Sequence, residues 1–194
     1  LDFIATQNKT LIDELADTKT TTISLHDNIK QANMAMDTVN QIRVSTWKGI
    51  ALNQADELRA VLPLFDTVHQ ILNTLEKSLT NEAEGKQLNS VRMRAIAEEL
   101  NTTHEKSLQD QIATVRTACS QYQEAMATLL KDWGNAQDNR NMEMFHQLNT
   151  SAETCIKTLE SYLASQNDAL DSGYNLVLEK IQDRVNKINI VNEI

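Results

Sequence analysis

Apolar side chains recur along this chain at alternating steps of three and four, the spacing that lines up one face of an α-helix. Four such stretches stand out. The first reads Leu25, Ile29, Ala32, Met36, Val39, Ile42 and continues to Trp47 and Ile50; before it, Phe3, Ile4, Leu11, Ile12, Leu15 and Ile23 are spaced more loosely. The second is a clean heptad of Leu58, Val61, Phe65, Val68, Leu72, Leu75 and Leu79. The third runs from Met93, Ile96 and Leu100 through His104, Leu108, Ile112, Val115, Cys119, Tyr122, Met126 and Leu129 to Trp133. The fourth runs from Phe145, Leu148, Ala152, Cys155, Leu159 and Tyr162 through Leu170, Tyr174, Val177, Ile181 and Val185 to Ile188. The pattern predicts helices over roughly 1–49, 54–81, 87–133 and 138–191, with coiled-coil-like seams. Pro63 falls inside the second, where its missing N–H predicts a kink.

The register of such helices can be tested on the numbers alone, because facing residues of an antiparallel hairpin have a constant sum. For the third and fourth stretches a sum of 274 pairs Leu129 with Phe145, Met126 with Leu148, Val115 with Leu159, Ile112 with Tyr162, Leu100 with Tyr174 and Met93 with Ile181. Its centre, at 137, falls beside Gly134 and Asn135. For the first and second stretches a sum of 104 pairs Val39 with Phe65, Met36 with Val68 and Leu25 with Leu79, centred at 52 beside Gly49 and Asn53. Both centres coincide with residues that suit a helix C-terminus. The expectation is an all-α, elongated antiparallel four-helix bundle, a single domain over 1–194, with long first and last helices whose outer ends share one pole. The second connection stays open between Gly85 and a turn at 101–103.

Composition agrees. One proline and four glycines in 194 residues leave few places to turn, and aromatics make up 4%. A formal net charge of −9, from 27 acidic and 18 basic residues without a basic stripe, argues against a nucleic-acid partner. No run reaches the ~18 apolar residues of a membrane span. The chain begins and ends inside periodic segments, so the expectation is a domain cut from a longer, membrane-anchored protein.

Little in the chain suggests catalysis. The four histidines (His26, His69, His104, His146) are dispersed, Glu98 and Glu99 form one acidic pair, and neither a metal-binding motif nor a phosphate-binding glycine loop occurs. The expectation is no enzyme, no cofactor and no metal. Cys119 and Cys155 also sum to 274 and occupy core positions, which leaves two readings: buried free thiols, or a disulfide and an oxidising compartment. In this register Trp47 and Trp133 share the end of the bundle away from the termini, with Phe145, Met142, Arg43, Lys48, Arg59, Lys131 and Arg140 nearby. Two readings stand here as well. One is an aromatic plug among solvated basic residues. The other is a small-anion site in which Trp47 and Trp133 form walls and Arg43, Arg59 and Arg140 supply forks for a carboxylate.

Helix count, long terminal helices and an Asn/Gln/Thr-rich surface resemble the extracytoplasmic ligand-binding domains of bacterial chemoreceptors and related sensor kinases. The resemblance is architectural, covers the whole chain and carries no diagnostic motif. It implies a homodimeric, periplasmic sensing domain of an inner-membrane protein. Such a domain binds an organic acid or amino acid and passes a helix shift across the membrane. In that family an arginine of the first helix often meets the ligand carboxylate, and Arg43 occupies that place here. The thread of weak helix former around Thr18 and 20–22, and Gly173, would suit a movable element. The competing expectation is a structural or interaction coiled coil, such as part of a secretion-system translocator or a helical toxin.

Overall fold

The computed structural model describes residues 2–86, 94–133 and 142–192. They form four helices and, among the described residues, no strand: α1 (Asp2–Ala51), α2 (Ala55–Lys86), α3 (Arg94–Lys131) and α4 (Met142–Asn192). The fold is an all-α helical bundle, and α1 and α4 are its longest members at 50 and 51 residues. The chain divides into two compact units. Unit 2 is Lys30–Leu163, and unit 1 combines Leu1–Ile29 with Ala164–Ile194.

Unit 2 is a closed ring of antiparallel neighbours, α1 on α2, α2 on α3, α3 on α4 and α4 on α1. Cys119 and Cys155 are joined across α3 and α4 with Cα atoms 5.3 Å apart, at the sum of 274. On α1 and α2, Lys48 reaches Glu57 and Gly49 backs onto Leu58, within a few residues of the sum of 104. Between α2 and α3, Phe65 meets Tyr122 edge-on at 5.2 Å and Glu76 meets Arg116 at 2.8 Å, so numbers rise on one helix as they fall on the other. The buried set is the predicted seams: Val39 and Ile42 from α1; Leu58, Val61, Phe65, Val68, Leu72, Leu75 and Leu79 from α2; Leu108, Ile112, Val115, Tyr122, Met126 and Leu129 from α3; Leu148, Ala152, Leu159 and Tyr162 from α4. Removing a leucine or phenylalanine side chain from water contributes about 1.5–3 kcal/mol each. That burial, not intrinsic propensity, is what holds helices this rich in threonine. The threonines themselves turn a hydroxyl back to the carbonyl four residues earlier, as Thr38, Thr114, Thr117 and Thr154 do, which satisfies them on an exposed helix face.

The α1–α2 turn shows how the chain stops one helix and starts the next. Asn53 adopts a left-handed backbone, φ 55°. Its N–H donates to the Ile50 carbonyl and that of Gln54 to the Gly49 carbonyl, at 3.1 and 2.8 Å. This is the Schellman closure, with asparagine in the place usually taken by glycine. Asp56 and Glu57 then occupy the first turn of α2, where the positive end of the helix dipole favours them.

The break between α2 and α3 differs from both expected turns. α2 runs past 81 and through Gly85 to Lys86, and residues 101–103 are helical within α3, so neither point is where the backbone breaks. The second connection falls among residues 87–93, and the turn centred on 137 among residues 134–141; both lie outside the described residues. α2 also continues through Pro63, whose ring sits on an exposed face where water can take the carbonyl it leaves unpaired.

The fourth seam needs a larger correction. It was expected to stay buried through Tyr174, Ile181 and Val185, yet these are 52, 37 and 45% exposed. Ile12 and Ile23 on α1 are exposed too. Unit 1 comprises only two helical segments. A pair of helices has one interface, so it can cover a single narrow stripe from each member, here half-burying Leu170 and Val177. The expected partners Leu100 and Met93, with Ile4, Leu11, His104 and the Glu98/Glu99 pair, lie outside the described side chains. Unit 1 also holds two buried amides, Asn28 and Gln166, whose Nδ2 and whose Nε2 and Oε1 respectively lack a hydrogen-bond partner.

Candidate functional site

The end of unit 2 carrying the α1–α2 turn gathers most of the residues singled out in the sequence, but in unequal roles. Arg43, Thr46 and Trp47 lie within four residues on α1, and the last turn of that helix brings in Lys48. Trp47 is 37% exposed and packs against Phe145 of α4, with ring centroids 6.5 Å apart and planes tilted by 39°. Trp133, just past the end of α3, is half-buried against the core. Among the described residues the ring partner of Trp47 is Phe145.

The cations sort themselves by partner. Arg59 donates to Asp56 at 2.7 Å, one turn away on an exposed face, and so arrives already neutralised. Lys48 lies 3.5 Å from Glu57 across the hairpin. Lys131 is exposed at the end of α3, and Arg140 lies outside the described residues. Arg43 is different. It is half-buried, and among the described residues it has neither a carboxylate at ion-pair distance nor a hydrogen-bond partner. A guanidinium partly removed from water gains most from a planar acceptor that takes two N–H bonds at once.

Behind Arg43 lies a buried polar pair that the sequence pattern concealed. Thr46 is fully buried; its hydroxyl donates to the Ile42 carbonyl at 2.6 Å and lies within hydrogen-bond reach of the Tyr122 hydroxyl of α3. Burial pushes the Tyr122 hydroxyl up from 10.0 to about 12; the Thr46 hydrogen bond and the Arg43 charge pull it down but do not offset burial. Tyr122 thus stays neutral and offers Arg43 no counter-charge. The seam spacing had marked Tyr122 only as core. The available signal was chemical: a buried tyrosine hydroxyl needs a partner, and Thr46 stands three residues from an arginine. A second polar link, His69 to Gln123 at 3.3 Å, ties α2 to α3.

Beside this cluster a groove of about 610 Å³ runs along the α1–α2 turn, lined by Asn53, Gln54, Asp56, Glu57 and Arg59 among others. Two carboxylates against one arginine that is already paired make it a poor seat for an anion. Among the described residues no group of histidine, cysteine, aspartate or glutamate could hold a metal ion, and no helix is long and apolar enough to cross a membrane.

Comparison of the chain with protein-family profiles, with curated proteins and with solved structures finds no match.

Proposed function

We propose that unit 2 is the ligand-sensing part of a signalling domain that takes a small organic anion, an organic acid or an amino acid, at Arg43. The observation that carries this reading is the half-buried Arg43 guanidinium, without a carboxylate partner among the described residues, in a chain whose net charge is −9. A protein with so many acids has every opportunity to pair that charge internally. Leaving it open costs stability and reserves the site for an anion brought from outside. Trp47 and Phe145 would supply the apolar side of the seat.

Binding would act through α1. Arg43 lies on a helix that continues unbroken from the site to Asp2, and α4, which carries Phe145, continues to Asn192. A ligand that prefers one packing of α1 against α4 biases that packing by its differential affinity, the physical content of a transmitted signal. The Cys119–Cys155 bridge would fit an extracytoplasmic setting for a membrane-anchored parent, where disulfides persist.

A thermal-shift screen of the purified chain against organic acids and amino acids tests the reading. A ligand at 100 times its Kd adds about 2.7 kcal/mol to stability. Arg43→Ala should abolish the response and Arg43→Lys should weaken it, while Arg59→Ala, which removes an arginine already held by Asp56, should leave it intact. If no small anion raises the melting temperature, or if the response survives Arg43→Ala, the reading is wrong.

A further inference from the structure

We infer that Asn28 of α1 and Gln166 of α4 form one buried hydrogen-bonding site in unit 1, and that the site takes a single water molecule shared between the two carboxamides. Both side chains are withdrawn from solvent, at 2 and 0% exposure, and both belong to the same unit. They also stand at the same level. α1 and α4 are antiparallel neighbours, and a sum of 194 pairs their buried positions: Ala35 with Leu159, Val39 with Cys155, Ile42 with Ala152 and, last, Asn28 with Gln166. The ring contact of Trp47 with Phe145 lies within two of that sum. A lone amide in such a seam would be an isolated cost, whereas two in one layer can share a partner.

The chemistry of the two amides selects that partner. Among the described residues nothing bonds to Asn28 Nδ2 or to Gln166 Nε2 and Oε1. The layer therefore offers N–H donors from both helices and one acceptor, and turning the Gln166 amide over leaves its donor and acceptor both open. An anion would satisfy the donors alone, and a metal ion would find a single oxygen among N–H groups. Either would bury a charge without a counter-charge, since no charged side chain is buried among the described residues. A direct bond from Asn28 Nδ2 to Gln166 Oε1 would leave Gln166 Nε2 unmatched. One water accepts from both nitrogens and donates to Gln166 Oε1, three bonds in all, which is about the usual number for an internal water. An apolar pair here would favour stability; what the amides add is specificity, because each is satisfied only opposite the other, and this ties α1 to α4 at one level. The inference uses no anion and stands apart from the reading of Arg43.

Nuclear Overhauser contacts to water, measured on the whole isotope-labelled chain, test the site directly. The side-chain NH2 groups of Asn28 and Gln166 should both contact a water held for longer than the protein takes to tumble, and that of exposed Asn175, in the same unit, should not. Stability supplies the second reading. Asn28→Leu and Gln166→Met each exchange an amide for an apolar group of nearly its shape. Either alone should lower the melting temperature by about 2–10 °C, because the amide that remains loses its bridged partner, and the double variant should melt above both single ones. Additive losses in the double variant, or wild-type NH2 groups without a long-held water, would overturn the inference.

Discussion

The chemistry of single residues in this bundle is governed by burial without charge compensation. Tyr122 shows it most directly. Its hydroxyl is raised to about 12 in the folded protein from an ordinary value of 10.0. Below pH 10 both folded and unfolded chains keep the proton and the group is neutral to stability. Between pH 10 and 12 the unfolded chain ionises first, so the folded state loses stability as pH rises through this window, by about 3 kcal/mol at most. Denaturant melts at pH 8, 10 and 12 should therefore show a steep alkaline loss in the wild type, and Tyr122→Phe should flatten it. Arg43 belongs to the same scale. That it has no carboxylate partner among the described residues could not be read from the sequence, because only packed helices decide which residues of other elements come within reach of its guanidinium.

At the scale of elements, two glycines in long helices have opposite meanings. A Cβ on Gly49 would lie 3.0 and 3.1 Å from Leu58, which is fully buried and has nowhere to retreat, and 3.2 Å from the Cβ of Glu57. A Cβ on Gly173 would meet nothing within 4 Å. Ala in place of Gly gains about 1 kcal/mol of helix propensity at either site. Gly173→Ala should keep that gain, whereas Gly49→Ala should lose more than it gains by forcing the hairpin apart. The melting temperatures of the two variants should thus move in opposite directions. The periodicity made both helices legible. It could not separate a glycine required by a close approach from one that merely weakens a helix. Nor could it choose between a stop at Gly85 and a helix running on through it, as α2 does to Lys86: a glycine is a permitted stop, and neighbouring contacts determine whether it is used.

For the molecule as a whole, the one covalent tie across the bundle is Cys119–Cys155, with 36 positions between its ends. Closing a loop of that length in the unfolded chain is worth about 4 kcal/mol in the chain-entropy picture, less if the unfolded hairpin retains structure. The denatured, unreduced protein should titrate no free thiol. Reduction should lower the urea midpoint without changing the helical spectrum, since both cysteines are buried among the apolar side chains of the core. Two titratable thiols in the unreduced protein would remove both the tie and its support for an oxidising compartment.

The alternation of threes and fours determined the helices, and the constant sums determined which residues face each other in unit 2, because helical period and antiparallel pairing are arithmetic properties of one chain. Val39, Phe65, Leu129 and Cys155 could all be assigned to the core on that basis. How far a seam stays covered was decided only in three dimensions, since coverage depends on how many helices surround a given level. The same apolar spacing is buried at Leu159 and Tyr162 and exposed at Tyr174 and Leu178. Pairing of charges divides the same way: Asp56 stands three residues before Arg59, a pair legible in the sequence, whereas the contacts of Arg116 with Glu76 and of Arg43 with the neutral Tyr122 join residues of different helices.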